Sequence, residues 1–225
     1  MAFVYAGKLL RVDLGAGTLR FESISEADVR RYLLGSGLAA RIYYQEMDPG
    51  LDPLHPDSPL LAMNGLLTGT FSPTGCRSSW CGRSPLTGIW NEANMGGHWG
   101  AELRFAGLDG LIVTGRAAEP VYLWIHDGQA EIRPAGHLWG LEHFDVFERL
   151  RGETDPKAQV ACIGPAGENL VRLAGVMQGG QEHARSGARG GMGALLGSKN
   201  LKAIVVRGSD RPQYPDPKAF QAFVK

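Results

Sequence analysis

Charge of one sign is the first thing this chain lacks: 23 lysines and arginines meet 23 aspartates and glutamates in 225 residues. With no net field, nothing global draws in nucleic acid or an acidic membrane surface, so any anion site must be built locally. Long apolar runs are missing as well. Nothing approaches the roughly 18 consecutive apolar residues of a membrane span, and the start, MAFVYAGKLLRVDL, lacks the basic-then-apolar order of a secretory leader. The expected compartment is the cytoplasm. Cysteine is scarce too. Cys76, Cys81 and Cys162 cannot make an even disulfide framework, and the spacing of the first two matches neither CxxC nor a zinc ribbon. His98, His137, His143 and His183 are scattered without i, i+4 pairing, and Glu168 and Glu182 have no acid/base partner visible in the sequence. No metal or iron–sulfur site is complete in this stretch of chain.

Glycine is what the chain has in abundance. Its 32 glycines are about twice the ordinary share of roughly 7%, and they lie among Val, Ile, Leu and aromatic residues instead of in a low-complexity tract. That distribution marks places where backbone must come close to something.

Residues 8–24 alternate apolar and polar on either side of Gly15-Ala16-Gly17, which predicts a β-hairpin. Ser25 with Asp28 three residues later resembles a capping box, and apolar spacing then predicts one helix running to about Met47, stopped by Pro49. The segment DPGLDPLHPDSP is a surface connection, and LLAMNGLLTG a short buried strand entering a glycine turn. A glycine loop, a short helix near Ala101–Phe105 and a strand at Leu111–Thr114 complete one unit. The order then recurs: a hairpin around Asp127-Gly128, a helix over LEHFDVFERLRG, a strand and turn in QVACIGPAGENLVRLAGV, and the glycine-rich SGARGGMGALLGSKNLKAIVVRG.

A shift of 93 residues lays Gly97, Gly100, Ala101, Leu103, Leu108, Leu111, Ile112, Val113 and Gly115 on Gly190, Gly193, Ala194, Leu196, Leu201, Ile204, Val205, Val206 and Gly208 without a gap. The expected fold is therefore α+β: a duplicated hairpin–helix–strand–loop–strand unit, with repeats at about 7–115 and 120–208 inside a domain of residues 1–210. Duplication brings the two glycine loops to equivalent places, where both can face one ligand. The tail DRPQYPDPKAFQAFVK reads as a linker over 211–225 that opens a fresh helix at Pro217, the start of a following domain.

Successive glycine N–H groups form anion-binding nests, and Arg77, Arg83, Arg185 and Arg189 each bring a guanidinium suited to phosphate. GMGALLG at Gly191–Gly197 has the outline of a dinucleotide fingerprint. Its context fails: no strand precedes it, and too few residues follow for a crossover helix, which argues against an NAD(P) enzyme. GSK at Gly197–Lys199 lacks the rest of a P-loop. Asn94 is open to two readings, a turn cap or a group presented to a cation or ligand.

The stretches SPTGCRSSWCGRSPLTG, NEANMGGHWGAELRFAGLDGLIVTGRA, IGPAGENLVRLAGVMQ and ARGGMGALLGSKNLKAIVVRGS together resemble the N-terminal domain of the aldehyde ferredoxin oxidoreductase family, from about Gly7 to Gly208. The resemblance implies two pseudo-symmetric β-sheets with flanking helices, serving as the base for a tungsten (in some members molybdenum) bis-pyranopterin cofactor. It implies oxidation of an aldehyde to a carboxylic acid, with electrons leaving through a [4Fe-4S] cluster to ferredoxin or an iron–sulfur electron-transfer subunit. Carried over by motif, the pterin-contacting residues fall on Arg77, on Asn94, Met95 and Gly96, and on Ala188, Arg189, Gly190 and Gly191. Backbone carbonyls at Asn94 and Ala188 would face a magnesium ion bridging the pterin phosphates. LLTG at Leu66–Gly69 departs from the usual proline, and Cys76 stands where glycine is common. In the family the cluster cysteines and the catalytic groups belong to later domains, so this stretch is expected to be a platform that is inactive alone and works in a homodimer or hetero-oligomer. A non-catalytic pterin- or phosphate-ligand-binding module is the alternative.

Overall fold

The computed structural model describes residues 4–224. Strands β1 (Lys8–Asp13) and β2 (Thr18–Ser23) form the expected first hairpin in antiparallel register, Leu10 opposite Phe21. The Ser25 hydroxyl accepts from the Asp28 amide at 3.0 Å and starts the next helix as its spacing predicts. The single helix expected to Met47 is instead two, α1 (Glu26–Tyr32) and α2 (Ser36–Glu46). The break has a local cause: Leu33 and Gly35 both take positive φ, 59° and 66°, a geometry that ends a right-handed helix.

β3 (Leu60–Asn64) is buried along its length. The stretch expected as a glycine loop holds two further strands, β4 (Ser78–Arg83) and β5 (Trp90–Met95), ahead of α3 (Trp99–Phe105) and β6 (Gly110–Thr114). The second half supplies β7 (Val121–His126), β8 (Gln129–Pro134), α4 (His143–Glu153), β9 (Gln159–Cys162) and α5 (Pro165–Glu168). It continues with β10 (Val176–Gln178), β11 (Arg185–Gly187), α6 (Met192–Ser198) and β12 (Leu201–Arg207), and α7 (Pro217–Val224) closes the described chain.

The two halves build two six-stranded sheets of matching order, β2-β1-β6-β3-β4-β5 and β8-β7-β12-β9-β10-β11. In each sheet the first strand of the hairpin pairs parallel with the last strand of the half, β1 with β6 and β7 with β12, while the other neighbours are antiparallel. The 93-residue echo has a structural counterpart, because α3 and α6 occupy shifted positions that match end to end.

One core lies between the sheets. Leu10, Leu60, Trp80 and Leu111 of the first sheet meet Leu123, Ala161, Ile204 and Val206 of the second, with Trp99 and Leu103 of α3 and Leu195 and Leu196 of α6 among them. The outer face of the first sheet is covered by α1 and α2 through Val29, Leu38 and Ile42, and that of the second by α4 through Val146, Phe147 and Leu150. Burying so many apolar side chains, each contributing about 1.5–3 kcal/mol, fixes the sheets face to face. Their outermost strands, β5 and β11, consequently run against each other.

Candidate cofactor site

That edge-to-edge contact assembles the site. A β-carbon on Gly187 would stand 3.6 Å from the Ala93 side chain and 3.7 Å from that of Met95, so the two strand ends touch through a residue with no side chain. Asn94, between those contacts, and Ala188, next to Gly187, become neighbours although they are far apart in sequence. Asn94 is exposed and Met95 fully buried. Met95 therefore packs the strand end into the core, while Asn94 faces solvent. Ala188 lies over Gly175, whose missing β-carbon would fall 3.0 Å from the Ala188 α-carbon.

Arg77 reaches this place from the other side. The turn before it is held tightly: Thr68 Oγ1 donates to the Arg77 carbonyl at 2.6 Å, and the Gly69 amide to the Gly75 carbonyl at 2.8 Å. The LLTG segment, a departure from the expected motif, keeps the threonine that does this. Arg104, paired with Asp109 at 2.8 Å in the core, further anchors the turn through the Gly65 carbonyl at 3.0 Å. Burial holds the Arg104 pKa below and the Asp109 pKa above their ordinary values, while mutual attraction opposes both shifts. The Arg77 guanidinium lies across the Gly96 backbone, its carbon 3.7 Å from where a β-carbon would be. Among the described residues it makes no ion pair.

A cleft of about 300 Å³ opens here, lined by Cys76, Arg77, Gly96, Gly97, His98, His183 and Arg185. Arg189 and Gly190 lie on the second loop toward the start of β5, tied across the sheets by the Asn91 carboxamide, which donates to the Arg189 carbonyl at 3.0 Å. Gly191 takes φ +82°, and a β-carbon there would sit 2.2 Å from the Arg172 carbonyl. A side chain is thus excluded by both strain and space.

The structure sets these residues along the β5–β11 seam: Arg77 and Gly96 lie at its Met95 end, Arg189 and Gly190 near Asn91, and exposed Asn94 and Ala188 between them, while Gly191 is buried. Arg83 is a correction. Its guanidinium donates to the carbonyls of Gly88 at 2.7 Å, Pro49 at 3.0 Å and Leu51 at 2.7 Å, so it ties the proline-rich connection to the β4–β5 turn and is spent as a structural group. His98 and His183, scattered in sequence, meet with ring centroids 6.2 Å apart. Glu168 does have a partner: it pairs with buried Lys202 and accepts from the Gly140 amide at 2.8 Å.

The buried Cys162–His143 contact carries no ion. The His143 Nδ1 lies 3.1 Å from Sγ and Nε2 lies 2.7 Å from the Gly179 carbonyl. Burial pushes the thiol up to about 12 and lowers the imidazole. Both are neutral near pH 7, which suits an S–H to nitrogen hydrogen bond and denies a thiolate nucleophile. Cys81 is likewise raised by burial. No helix among the described residues is long and apolar enough to cross a membrane.

Two facing sheets thus meet at edges that carry glycine loops and, among the described residues, guanidinium groups free of ion pairs. Residues 9–208 match the model of the aldehyde ferredoxin oxidoreductase N-terminal domain, and the chain belongs to that family. It is 46% identical over 224 residues to the tungsten-containing aldehyde ferredoxin oxidoreductase of Pyrococcus abyssi, covering 99% of this chain and 36% of that protein. The tungsten-containing aldehyde ferredoxin oxidoreductase of Pyrococcus furiosus is 44% identical over 220 residues, covering 97% of this chain and 36% of that protein. The chain thus spans about a third of the length of these curated relatives. Among solved structures, the active site complex BamBC of benzoyl coenzyme A reductase with 1,5-dienoyl-CoA matches with a TM-score of 0.95 and 37% identity, over 100% of this chain and 34% of that one.

Proposed function

We propose that this chain is the cofactor platform of a tungsten or molybdenum oxidoreductase that converts aldehydes to carboxylic acids and passes electrons to ferredoxin. The observation that carries this is the meeting of strands β5 and β11, from which the two glycine loops leave with Arg77 and Arg189 free of ion pairs among the described residues, in a chain 43–46% identical to four tungsten-containing aldehyde ferredoxin oxidoreductases. The residues present fit a bis-pyranopterin. Arg77 and Arg189 offer guanidinium groups to phosphates, Gly96 leaves room for the Arg77 side chain against backbone, and Gly190 and Gly191 let the second loop pack on Asn91 and the Arg172 carbonyl.

The metal, when bound, supplies the two-electron chemistry. This chain's part is to bind and orient. Arg77 and Arg189 would neutralise the anionic groups, Asn94 and Ala188 would offer carbonyls to a magnesium ion, and the buried Met95 holds the first loop to the core. A [4Fe-4S] cluster, the groups that handle substrate, and the ferredoxin contact would come from parts of the protein outside this stretch. The working assembly would be cytoplasmic and oligomeric. Aldehyde oxidation is preferred to the acyl-CoA chemistry named for the BamBC complex because identity to the aldehyde enzymes is higher.

The test is metal content. The whole protein, purified after growth with tungstate and molybdate, is expected to hold one of the two metals by mass spectrometry. Arg77→Ala and Arg189→Ala should each lower the retained metal about tenfold or more, the loss of one charge-assisted hydrogen bond. A folded, supplemented preparation without either metal overturns the proposal.

A further inference from the structure

The two loops are held by a matched pair of contacts that cross between the sheets in opposite directions. Gln178, at the end of β10 in the second sheet, donates from Nε2 to the Gly96 carbonyl of the first loop at 2.9 Å. Asn91, on β5 in the first sheet, donates from Nδ2 to the Arg189 carbonyl of the second loop at 3.0 Å. The acceptors are equivalent under the 93-residue shift, and so are the glycines that follow them, Gly97 and Gly190. Both glycines take positive φ, 93° and 67°. In both, the carboxamide fills the space a side chain would need: a β-carbon on Gly97 would fall 1.6 Å from Gln178 Nε2, and one on Gly190 would fall 2.2 Å from Asn91 Oδ1. Each loop therefore has the same device, a carbonyl gripped from the opposite sheet followed by a glycine that admits the grip.

A trans peptide points its N–H opposite to its C=O, and the described chain contains no cis peptide. Gripping the carbonyls of Gly96 and Arg189 therefore turns the N–H groups of Gly97 and Gly190 away from the carboxamides. Neither N–H donates to any group among the described residues. Gly97 lines the cleft beside Arg77, and Gly190 is partly exposed beside Arg189. Gln178 is fully buried, and its Oε1 has no hydrogen-bond partner, so what holds the side chain is its bond to Gly96 and the packing around it.

We infer that Asn91 and Gln178 are positioning residues: a reciprocal pair of carboxamide clamps that aims the Gly97 and Gly190 amides at phosphate groups of the bound ligand. This rests on the platform proposed above and deepens it. Arginines supply charge that tolerates some displacement, whereas the clamped amides supply direction. The clamps also make each loop's geometry depend on the opposite sheet, so the two anion positions keep a fixed spacing.

The test uses the whole protein stripped of its cofactor, with inorganic pyrophosphate plus magnesium as the probe and hydrogen exchange read by mass spectrometry. In the parent protein, pyrophosphate is expected to slow exchange in peptides spanning 94–99 and 187–192. Gln178→Met keeps the length and burial of the side chain but removes the donor, and it should weaken pyrophosphate about tenfold or more and abolish protection in the 94–99 peptide. Asn91 is only half-buried, so Asn91→Asp keeps a foldable size; it should do the same for the 187–192 peptide, even if the Gln178 variant fails to fold. A purely structural role would lower the melting temperature and leave bound-state protection in place, and that result overturns the clamps. Parent protein that binds pyrophosphate while both variants bind it equally well also overturns them, with the platform intact. Parent protein that binds neither pyrophosphate nor metal overturns the platform and the clamps together.

Discussion

Lys199 sits in the core against the proline-rich connection. It is fully buried, and its ammonium donates to the carbonyls of Ser58, at 2.8 Å, and Pro56. Burial lowers its pKa from 10.5 to about 7, against the attraction of Asp57 and Asp13. Because the folded value lies below the unfolded one, the unfolded chain binds a proton across this interval that the folded chain does not, and stability rises with pH from about 7 upward. Cys81 and Cys162 act in the opposite sense. Their folded values are raised by burial, so stability falls once the unfolded thiols ionise above about 8.5. Stability is therefore expected to climb by about 1 kcal/mol between pH 7 and 8.5 and to decline beyond that. Lys199→Met should flatten the climb, whatever it does to absolute stability. Urea midpoints measured at half-unit pH steps decide this, and a Lys199→Met curve that still climbs refutes the assignment.

At the scale of elements, α3 joins the halves through Trp99. Its indole is fully buried, packs on Trp80 with centroids 5.0 Å apart, and donates from Nε1 to the Ile204 carbonyl of β12 at 2.9 Å. Trp99→Phe keeps most of the apolar bulk and strands that carbonyl, which should cost about 1–3 kcal/mol in a denaturant titration; no measurable loss would show that the bond contributes nothing. Elements were legible where local pattern decides them. The hairpins at Gly15–Gly17 and Asp127-Gly128 alternate cleanly, and β12 followed from its echo in β6, whereas α6, although it matches α3, reads as part of a glycine loop. β4 and β5 were hidden for a physical reason. SSWCGR is buried on nearly every residue and WNEANM is largely polar, so neither shows a period of two, and only pairing within the sheet makes them strands. The break between α1 and α2 was hidden because apolar spacing continues across Leu33 and Gly35. In the site, Arg77 and the Arg189–Gly191 loop stood out as glycine beside arginine, whereas residues 94–96 and Ala188 came from the family resemblance alone. Asn91 and Gln178 did not, since their partners lie 98 and 82 residues away. Arg83 misled because an arginine among glycines looks the same whether it faces a ligand or three carbonyls.

For the whole molecule, the decisive fact is that neither half has a core of its own on the inner side. The central cluster draws on both sheets and on α3 and α6, and polar ties cross the same boundary. Arg207 pairs with Glu102 at 2.7 Å, and the Gly128 amide donates to the Ala106 carbonyl at 3.0 Å. Gly208 packs so closely on Phe105 that a β-carbon would lie 1.9 Å from its carbonyl carbon. A half released from its partner would expose the inner face of a six-stranded sheet, several large apolar side chains at about 25 cal/mol per Å². The two sheets are therefore expected to unfold together. Trp80 and Trp99 report on the first half and Trp124 on the second, so variants keeping only one set, with the remaining tryptophans changed to Phe, separate the signals. In each variant the fluorescence midpoint in urea should coincide with that variant's own far-UV circular dichroism midpoint, whatever the tryptophan changes cost in stability. Ligand gripped by both loops should raise both midpoints equally, by about 2.7 kcal/mol at a hundred times its Kd. Two separated midpoints, or a ligand shift confined to one half, would mean that the loops are carried by independent modules; coincident shifts would tie the spacing of the anion sites to the shared core.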